Sequence, residues 1–321
     1  MSSQIRIILS FLICACVSAS ELPQPVFGDT PQNGNAVIRR KAGPSEIVIT
    51  TTNRLAGAID SLTWNGKEFI DSFDHGRQLQ SAASFDFRST DPYWAERYNP
   101  TEAGSRLDGV GPSSSSKLLS IRAQGAELQT KSRMAFWLAP GQKSSGRLAL
   151  NDKILSDHLI TKRVRIGYKK FDNIIEYQAT FTVPKNELHT YAQFEALTGY
   201  MPKEFEKFWV FQPATGKLES LSDGPGEQKF PVVMSTKDGQ YAMGIFSPDQ
   251  PSKGYQHAGY GRFRFKAAKV VKWNCAFRVR NKQGIEPGKY SFRMFVPVGT
   301  LEDVRQALES LTREFRKKSL P

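Results

Sequence analysis

Residues 173–183 read NIIEYQATFTV, and their order decides the fold. Ile175, Tyr177, Ala179, Phe181 and Val183 alternate with Glu176, Gln178, Thr180 and Thr182. Side chains on a strand alternate faces, so this is a strand with one apolar and one polar side. The same period recurs at 46–52, 58–64, 67–70, 117–123, 127–138, 159–168, 189–198, 230–235, 240–246, 261–266, 269–280 and 289–297. Gly and Pro turns separate these runs. So many strands predict an all-β protein, a large antiparallel β-sandwich forming one domain over 45–321. Only the end reads helical: Thr300 and Asp303 form a capping-box pattern, and Val304, Leu308, Leu311 and Phe315 follow at helical spacing. A short C-terminal helix is therefore expected.

The stretch His189–Leu197, HTYAQFEAL, carries the most chemistry. Read as a strand, it puts His189, Tyr191, Gln193 and Glu195 on one face. At the rise of a strand, His189 and Glu195 stand about 20 Å apart, too far for an acid/base pair but suited to lining a groove. A solvated outer face is the plain alternative, although such faces favour Thr, Lys, Ser and Arg, which this row lacks.

Two further segments stand out. Asp74-His75-Gly76-Arg77-Gln78-Leu79-Gln80 offers His75 as acid, base or ligand and Arg77 as a forked cation for carboxylates or hydroxyls. From 88 to 117 there is no strand pattern, and a structureless stretch of this length is usually functional or disordered. Its aromatic first part, with Trp94, Tyr98, Asn99 and Glu102, reads as a loop over a binding cleft; the serine run at 113–116 suggests mobility.

The chain has 321 residues and a net charge of +13. Residues 1–20 have the basic start, apolar run and small-residue end of a secretory signal. Cys16 would be the lipidated residue if the weak lipoprotein pattern at 13–16 were used. A secreted or periplasmic protein follows, with no later transmembrane segment. Residues 21–44, rich in Pro, Gly, Asn and Gln, read as an irregular lead-in. Beyond the signal only Cys275 remains, so no intrachain disulfide can form, and its apolar neighbours make it a buried hydrophobe. Export and the absence of a recognition motif disfavour nucleic acid; an acidic polysaccharide is the preferred reason for the charge. No cofactor is expected. His75, His158, His189 and His257 lack metal-ligand spacing, so no metal is expected either, though a calcium site from loop carboxylates stays open. The oligomeric state is not legible.

The run LAGAIDSLTWNGKEFI at 55–70 resembles the opening hairpin of galactose-mutarotase-like proteins, with Asn65-Gly66 at the turn. The resemblance implies a β-supersandwich, sugar chemistry, and a substrate-facing arginine at Arg77. The chain departs from mutarotases in its signal, its 88–117 loop, and the lack of a C-terminal catalytic Glu strand.

A carbohydrate-active enzyme acting on a polysaccharide or oligosaccharide is therefore expected. Hydrolysis is the leading expectation; it needs two carboxylates about one glycosidic bond, for which Glu102 and Glu195 are the candidates. A lyase would instead use a His or Tyr base with Arg77 or Asn99 stabilising charge. A mutarotase would use a Glu and a His, and a non-catalytic binding module needs none of this. Catalytic candidates are Glu102, Glu195, His189 and His75. Substrate contacts are expected from Arg77, Trp94, Tyr98, Asn99, Tyr191, Gln193, Tyr200 and His257.

Overall fold

The computed structural model describes residues 33–88, 90–248 and 258–316. The expected signal at 1–20, Cys16 with it, and His257 lie outside the described residues. The strands are β1 Ala36–Ala42, β2 Ser45–Thr51, β3 Ile59–Trp64, β4 Lys67–Glu68, β5 Leu79–Phe85, β6 Pro100–Thr101 and β7 Lys117–Gln124. There follow β8 Glu127–Phe136, β9 Lys143–Ser144, β10 Arg147–Leu148, β11 Leu155–Tyr168, β12 Phe171–Val183 and β13 Tyr191–Pro202. The last are β14 Lys207–Gln212, β15 Lys217–Leu221, β16 Gly226–Gln228, β17 Val232–Ser235, β18 Ala242–Gly244, β19 Gly259–Phe265, β20 Val270–Arg280 and β21 Gly288–Gly299. One helix, α1, spans Leu301–Arg316.

Nineteen strands form one antiparallel hydrogen-bonded network. In the first layer β16 pairs β19, β19 pairs β20, β20 pairs β13, and β13 pairs β5. The two-residue β6 bridges β5 to β8 and so joins the layers. From β8 the second layer runs through β11, β12 and β21 to β18, β17, β14 and β15. Between the layers Phe194 of β13 packs on Phe181 of β12 and Phe292 of β21, at centroid distances of 5.0 and 5.4 Å. Burying such rings, each worth about 1.5–3 kcal/mol, is the main force holding the layers together. This is the large antiparallel β-sandwich expected.

Local sequence explains the ends of several elements. Asn65 and Gly66 both take positive φ, 51° and 72°, and bring Trp64 opposite Lys67 in a two-residue hairpin. At the start of α1 the Asp303 amide donates to Thr300 Oγ1 while the Thr300 amide donates to Asp303 Oδ2, closing the capping box. The helix then lays Val304, Leu308 and Leu311 against Phe211, Val233 and Phe295.

Two expectations require correction, and one strand had no sequence signal. β1 lies inside the stretch 21–44 read as irregular; its polar residues at 39–41 mask a strand that buries only Ile38 and Ala42. β5 has no alternation to read, because LQSAASF is buried on both faces apart from Ala82. The serines at 114–116 are tied down. Ser114 Oγ donates to the Ala103 carbonyl, Ser115 Oγ to Asp108, and Ser116 Oγ to the Thr101 carbonyl. Short hydroxyl side chains serve loop backbone as well as solvent, and composition cannot tell the two uses apart.

Candidate functional site

A cavity of about 210 Å³ opens on the face of the first layer turned away from the core. Its floor is a cross-strand row. Glu195, Thr198 and Tyr200 come from β13, Lys272 from β20, Gln80 and Ala82 from β5, and Thr101 from β6. Register accounts for the row: Lys272 stands opposite Tyr200, Gln80 opposite Thr198, Ala82 opposite Glu195, and Thr101 opposite Ala82. A bulge between Glu195 and Leu197 inserts one residue and resets the alternation. Without it, Thr198 and Tyr200 would face the core while Glu195 faced out. The walls are Gly76, Ala95, Glu96, Asn99 and Trp137. The 86–116 loop thus contributes one side, through Ala95, Glu96 and Asn99.

At the centre, Lys272 Nζ lies 3.1 Å from Glu195 Oε2, which also accepts a hydrogen bond from Thr198 Oγ1 at 3.0 Å. Burial acts to raise the Glu195 pKa, but the Lys272 charge and the hydrogen bonds outweigh it and leave it below the usual carboxylate range. Burial works against the Lys272 charge too, and is overcome by Glu195 and Tyr200, which push its pKa up. The ammonium also sits 5.2 Å from the Tyr200 ring centroid. Burial raises the Tyr200 phenol, so it stays protonated at neutral pH and can donate or accept a hydrogen bond. The cavity therefore offers a fixed carboxylate, a fixed ammonium, neutral hydroxyls and amides, and an indole wall. Backbone bonds hold that wall in place: the Trp137 amide donates to the Asn99 carbonyl, and the Trp137 carbonyl accepts from Arg106.

Of the residues singled out from sequence, Glu195, Asn99 and Tyr200 line this cavity. Tyr191 and Gln193 continue the β13 row beyond it, under an Arg280 guanidinium and bonded to Arg278 Nε, respectively. Trp94 is on the surface, its indole NH donating to Ser144 and its ring beneath Arg147. Arg77 does not line the cavity; it is held by Asp74 at 3.1 Å and Asp71 at 3.7 Å.

Glu102 and His75 are sealed inside. Glu102 forms an ion pair with Lys162 in which both side chains are 0% exposed, and its other oxygen accepts the Ser81 amide. Burial lowers the Lys162 pKa against the pull of Glu102. His75 Nδ1 and Nε2 lie 2.8 and 3.0 Å from the carbonyls of Gly109 and Arg54, pinning two loops. Glu102 and Glu195 consequently do not face one substrate bond.

His189 precedes β13 rather than standing in its polar row. It joins His158 of β11 and Glu187 of the β12–β13 connection, with Tyr98 beside them. His189 Nε2 is 3.0 Å and His158 Nε2 3.3 Å from Glu187 Oε2. Burial pushes the His158 imidazole down to about 4. Burial also acts to raise Glu187, but His189, His158 and Tyr98 hold it below its ordinary value.

Sequence reading missed Lys272, Thr198, Gln80, Thr101 and Trp137. Lys272 and Asn274 did carry a signal, as polar residues on one face of an otherwise apolar strand. Trp137, just past the end of β8, carried none.

No protein-family model matches the chain, and no curated protein matches it. Among solved structures it is similar to a Klebsiella pneumoniae protein assigned as an aldose 1-epimerase, with 10% identity, a TM-score of 0.45, and coverage of 89% of this chain and 92% of that one. It is also similar to a galactose mutarotase-like protein from Clostridium acetobutylicum, with 8% identity and a TM-score of 0.37 over 84% and 100% of the two chains. A third similar structure is the alpha-galactosidase from Lactobacillus brevis, with 7% identity and a TM-score of 0.40 over 83% and 40%. The neighbours thus include the kind of protein that the 55–70 hairpin resembles. At these values the likeness assigns no activity.

Proposed function

We propose that the protein binds an acidic saccharide chain, holding one sugar ring in the cavity beside Trp137. The observation that carries this reading is the cavity floor itself. Gln80, Asn99, Thr101, Thr198 and Tyr200 surround the Glu195–Lys272 pair with neutral polar side chains beside an indole. Internal hydrogen bonds fix several of them: Gln80 to Gln78 and the Ala103 amide, Asn99 to the Ala83 carbonyl, and Thr198 to Glu195. Saccharides need this mixture, since each ring has hydroxyl edges and an apolar face. The volume, below the ~300–1,000 Å³ of drug-sized pockets, suits a single ring.

The acidic part of the reading rests on a neighbouring groove of about 500 Å³. Lys203, Lys207, Arg264, Lys266 and Lys269 line it with only Glu206 and Asp223 as counter-charges. The groove lies at the Val270 end of β20, with Arg264 and Val271 on the strand face opposite Lys272. A chain with one ring on Lys272 would have to turn over the β19–β20 connection, which carries Lys266 and Lys269, to bring its next units onto these cations. Among the described residues no helix is long and apolar enough to cross a membrane.

One observation favours a second reading, glycosidic hydrolysis: two carboxylates, Glu195 and Glu96, line the same cavity, and the first is held ionised. Here Glu195 would be the ionised partner and Glu96 the acid, in place of Glu102. A lyase with Tyr200 as base is disfavoured, because burial raises its phenol rather than activating it.

Uronate-containing and neutral oligosaccharides incubated with the purified chain separate these readings. Retention of the acidic oligosaccharide without new reducing ends is expected for binding alone. New reducing ends without unsaturated uronates, vanishing in Glu96→Gln, would establish hydrolysis, and reducing ends together with the absorbance of unsaturated uronates would establish a lyase. Absence of both retention and products across acidic and neutral sugars would refute the saccharide reading.

A further inference from the structure

We infer that His158, Glu187 and His189 form a binding site for a divalent first-row transition metal of the zinc class. The three side chains come from separate places in the chain, β11 and the connection before β13, and their donor atoms lie within 4.8 Å of one another. His158 and His189 are 2% and 1% exposed. The carboxylate oxygen of Glu187 stands 3.3 and 3.0 Å from the two Nε2 atoms. Ligands at about 2.0–2.1 Å around a tetrahedral metal have donor atoms roughly 3.3 Å apart, so both His–Glu separations already match one edge of such a site.

Hydrogen bonding alone leaves this cluster unsatisfied. Neither ring nitrogen of His158 has a hydrogen-bond partner, and neither does Nδ1 of His189. The His158–Glu187 contact is close but is not aligned as a hydrogen bond. Buried polar atoms without partners are uncommon in folded proteins and call for an explanation. A cation among the three would take up the His158 Nε2 lone pair, which has no hydrogen-bond partner although it faces Glu187, while His189 Nε2 would exchange its hydrogen bond to Glu187 for the ion.

The surroundings fit a fixed site better than a chance meeting of side chains. Phe85 stacks on His189 at 4.5 Å and lies 4.9 Å from His158, which restricts both rings. The Tyr98 hydroxyl interacts with Glu187 and can orient the carboxylate. Glu187 retains 11% of its side-chain exposure, which leaves a route for the ion from solvent. Two imidazoles and one carboxylate suit zinc, cobalt or nickel, whereas calcium and magnesium prefer oxygen-only sets. The site lies on the opposite face of β5 from the saccharide cavity, because Phe85 and Gln80 point to opposite sides of that strand. It is therefore independent of the proposed function.

The test is titration of the chelator-stripped full chain with Co²⁺, followed by visible absorption, and with Zn²⁺ in competition with a chromophoric chelator. The expected result is one equivalent of Co²⁺ with ligand-field bands displaced by Zn²⁺. Glu187→Gln should weaken binding at least tenfold, and His189→Asn should abolish it. Glu187 is partly exposed, so its variant is the safer one for folding, which its strand circular dichroism would report. X-ray absorption of the wild-type Zn²⁺ complex adds an independent readout, expected to show imidazole donors at the zinc–nitrogen distance. No saturable binding, binding that survives both substitutions, or a metal environment without imidazole would overturn the inference.

Discussion

Gly76 and Trp137 meet so closely that a Cβ at residue 76 would fall 2.8 Å from indole Cη2. Real Cβ atoms do not approach that near, so any larger residue must displace the ring. Trp137 is fixed through its own amide and carbonyl, and the strain would fall on its side-chain angle. Gly76→Ala is expected to weaken saccharide binding several-fold and shift the intrinsic tryptophan emission, with strand circular dichroism unchanged. Titration of the variant with the same oligosaccharide used for wild type checks it.

Lys272 and Glu195 support each other across the β13–β20 ladder while largely out of water. Removing one partner strands the other, a loss of about 1–3 kcal/mol. Lys272→Met and Glu195→Gln should each lower Tm, and the double variant should lose less than the sum of the two. Urea unfolding of the four proteins in a double-mutant cycle measures that difference.

The same pair sets a pH dependence. Glu195 has a folded-state pKa below its ordinary value, so its contribution to stability is complete above the unfolded carboxylate range. That contribution falls away as pH drops through the lower, folded value. Wild type should therefore lose more stability on acidification than Glu195→Gln. Denaturant midpoints for both proteins between neutral pH and the acid end of that window show whether the curves converge.

Glu102 is expected to act in folding rather than at the cavity. Its partner Lys162 has no exposed side-chain surface, and breaking a buried pair from one side typically costs about 3–5 kcal/mol. Glu102→Gln should thus lower Tm sharply while any folded fraction binds saccharide as wild type does. Replacing both by apolar residues, Glu102→Leu with Lys162→Met, should recover much of the loss. Calorimetric Tm and ligand titration on the same preparations separate the two roles.

The fold was legible where one face of a strand is apolar and the other polar, as in 173–183, where Ile175, Tyr177, Ala179, Phe181 and Val183 are all buried and, of the other face, only Ile174 is. It was illegible at β5, whose two buried faces erase the period, and that strand supplies Gln80 to the cavity. Site reading reached Glu195 through the polar row but extended the row back to His189, and it named Tyr200 although the read period would put that residue on the other face. The strand begins two residues later, at Tyr191, and the bulge beyond Glu195 changes which residues share its face. Bulges and strand starts are set by the neighbouring ladder, so one strand's own sequence does not reveal them. The His158–Glu187–His189 cluster was hidden for a related reason. Glu187 and His189 stand two residues apart in the connection before β13, but His158 comes from β11, and spacing along the chain does not report a ligand supplied by another element.

The most direct measurement is isothermal titration of the purified chain with acidic and neutral oligosaccharides, alongside Trp137→Ala and Gln80→Ala. The cavity account predicts saturable binding of the acidic chain, lost or weakened at least tenfold in both variants while their strand circular dichroism is retained. Binding unchanged in both variants, or no binding of any saccharide by wild type, would contradict it.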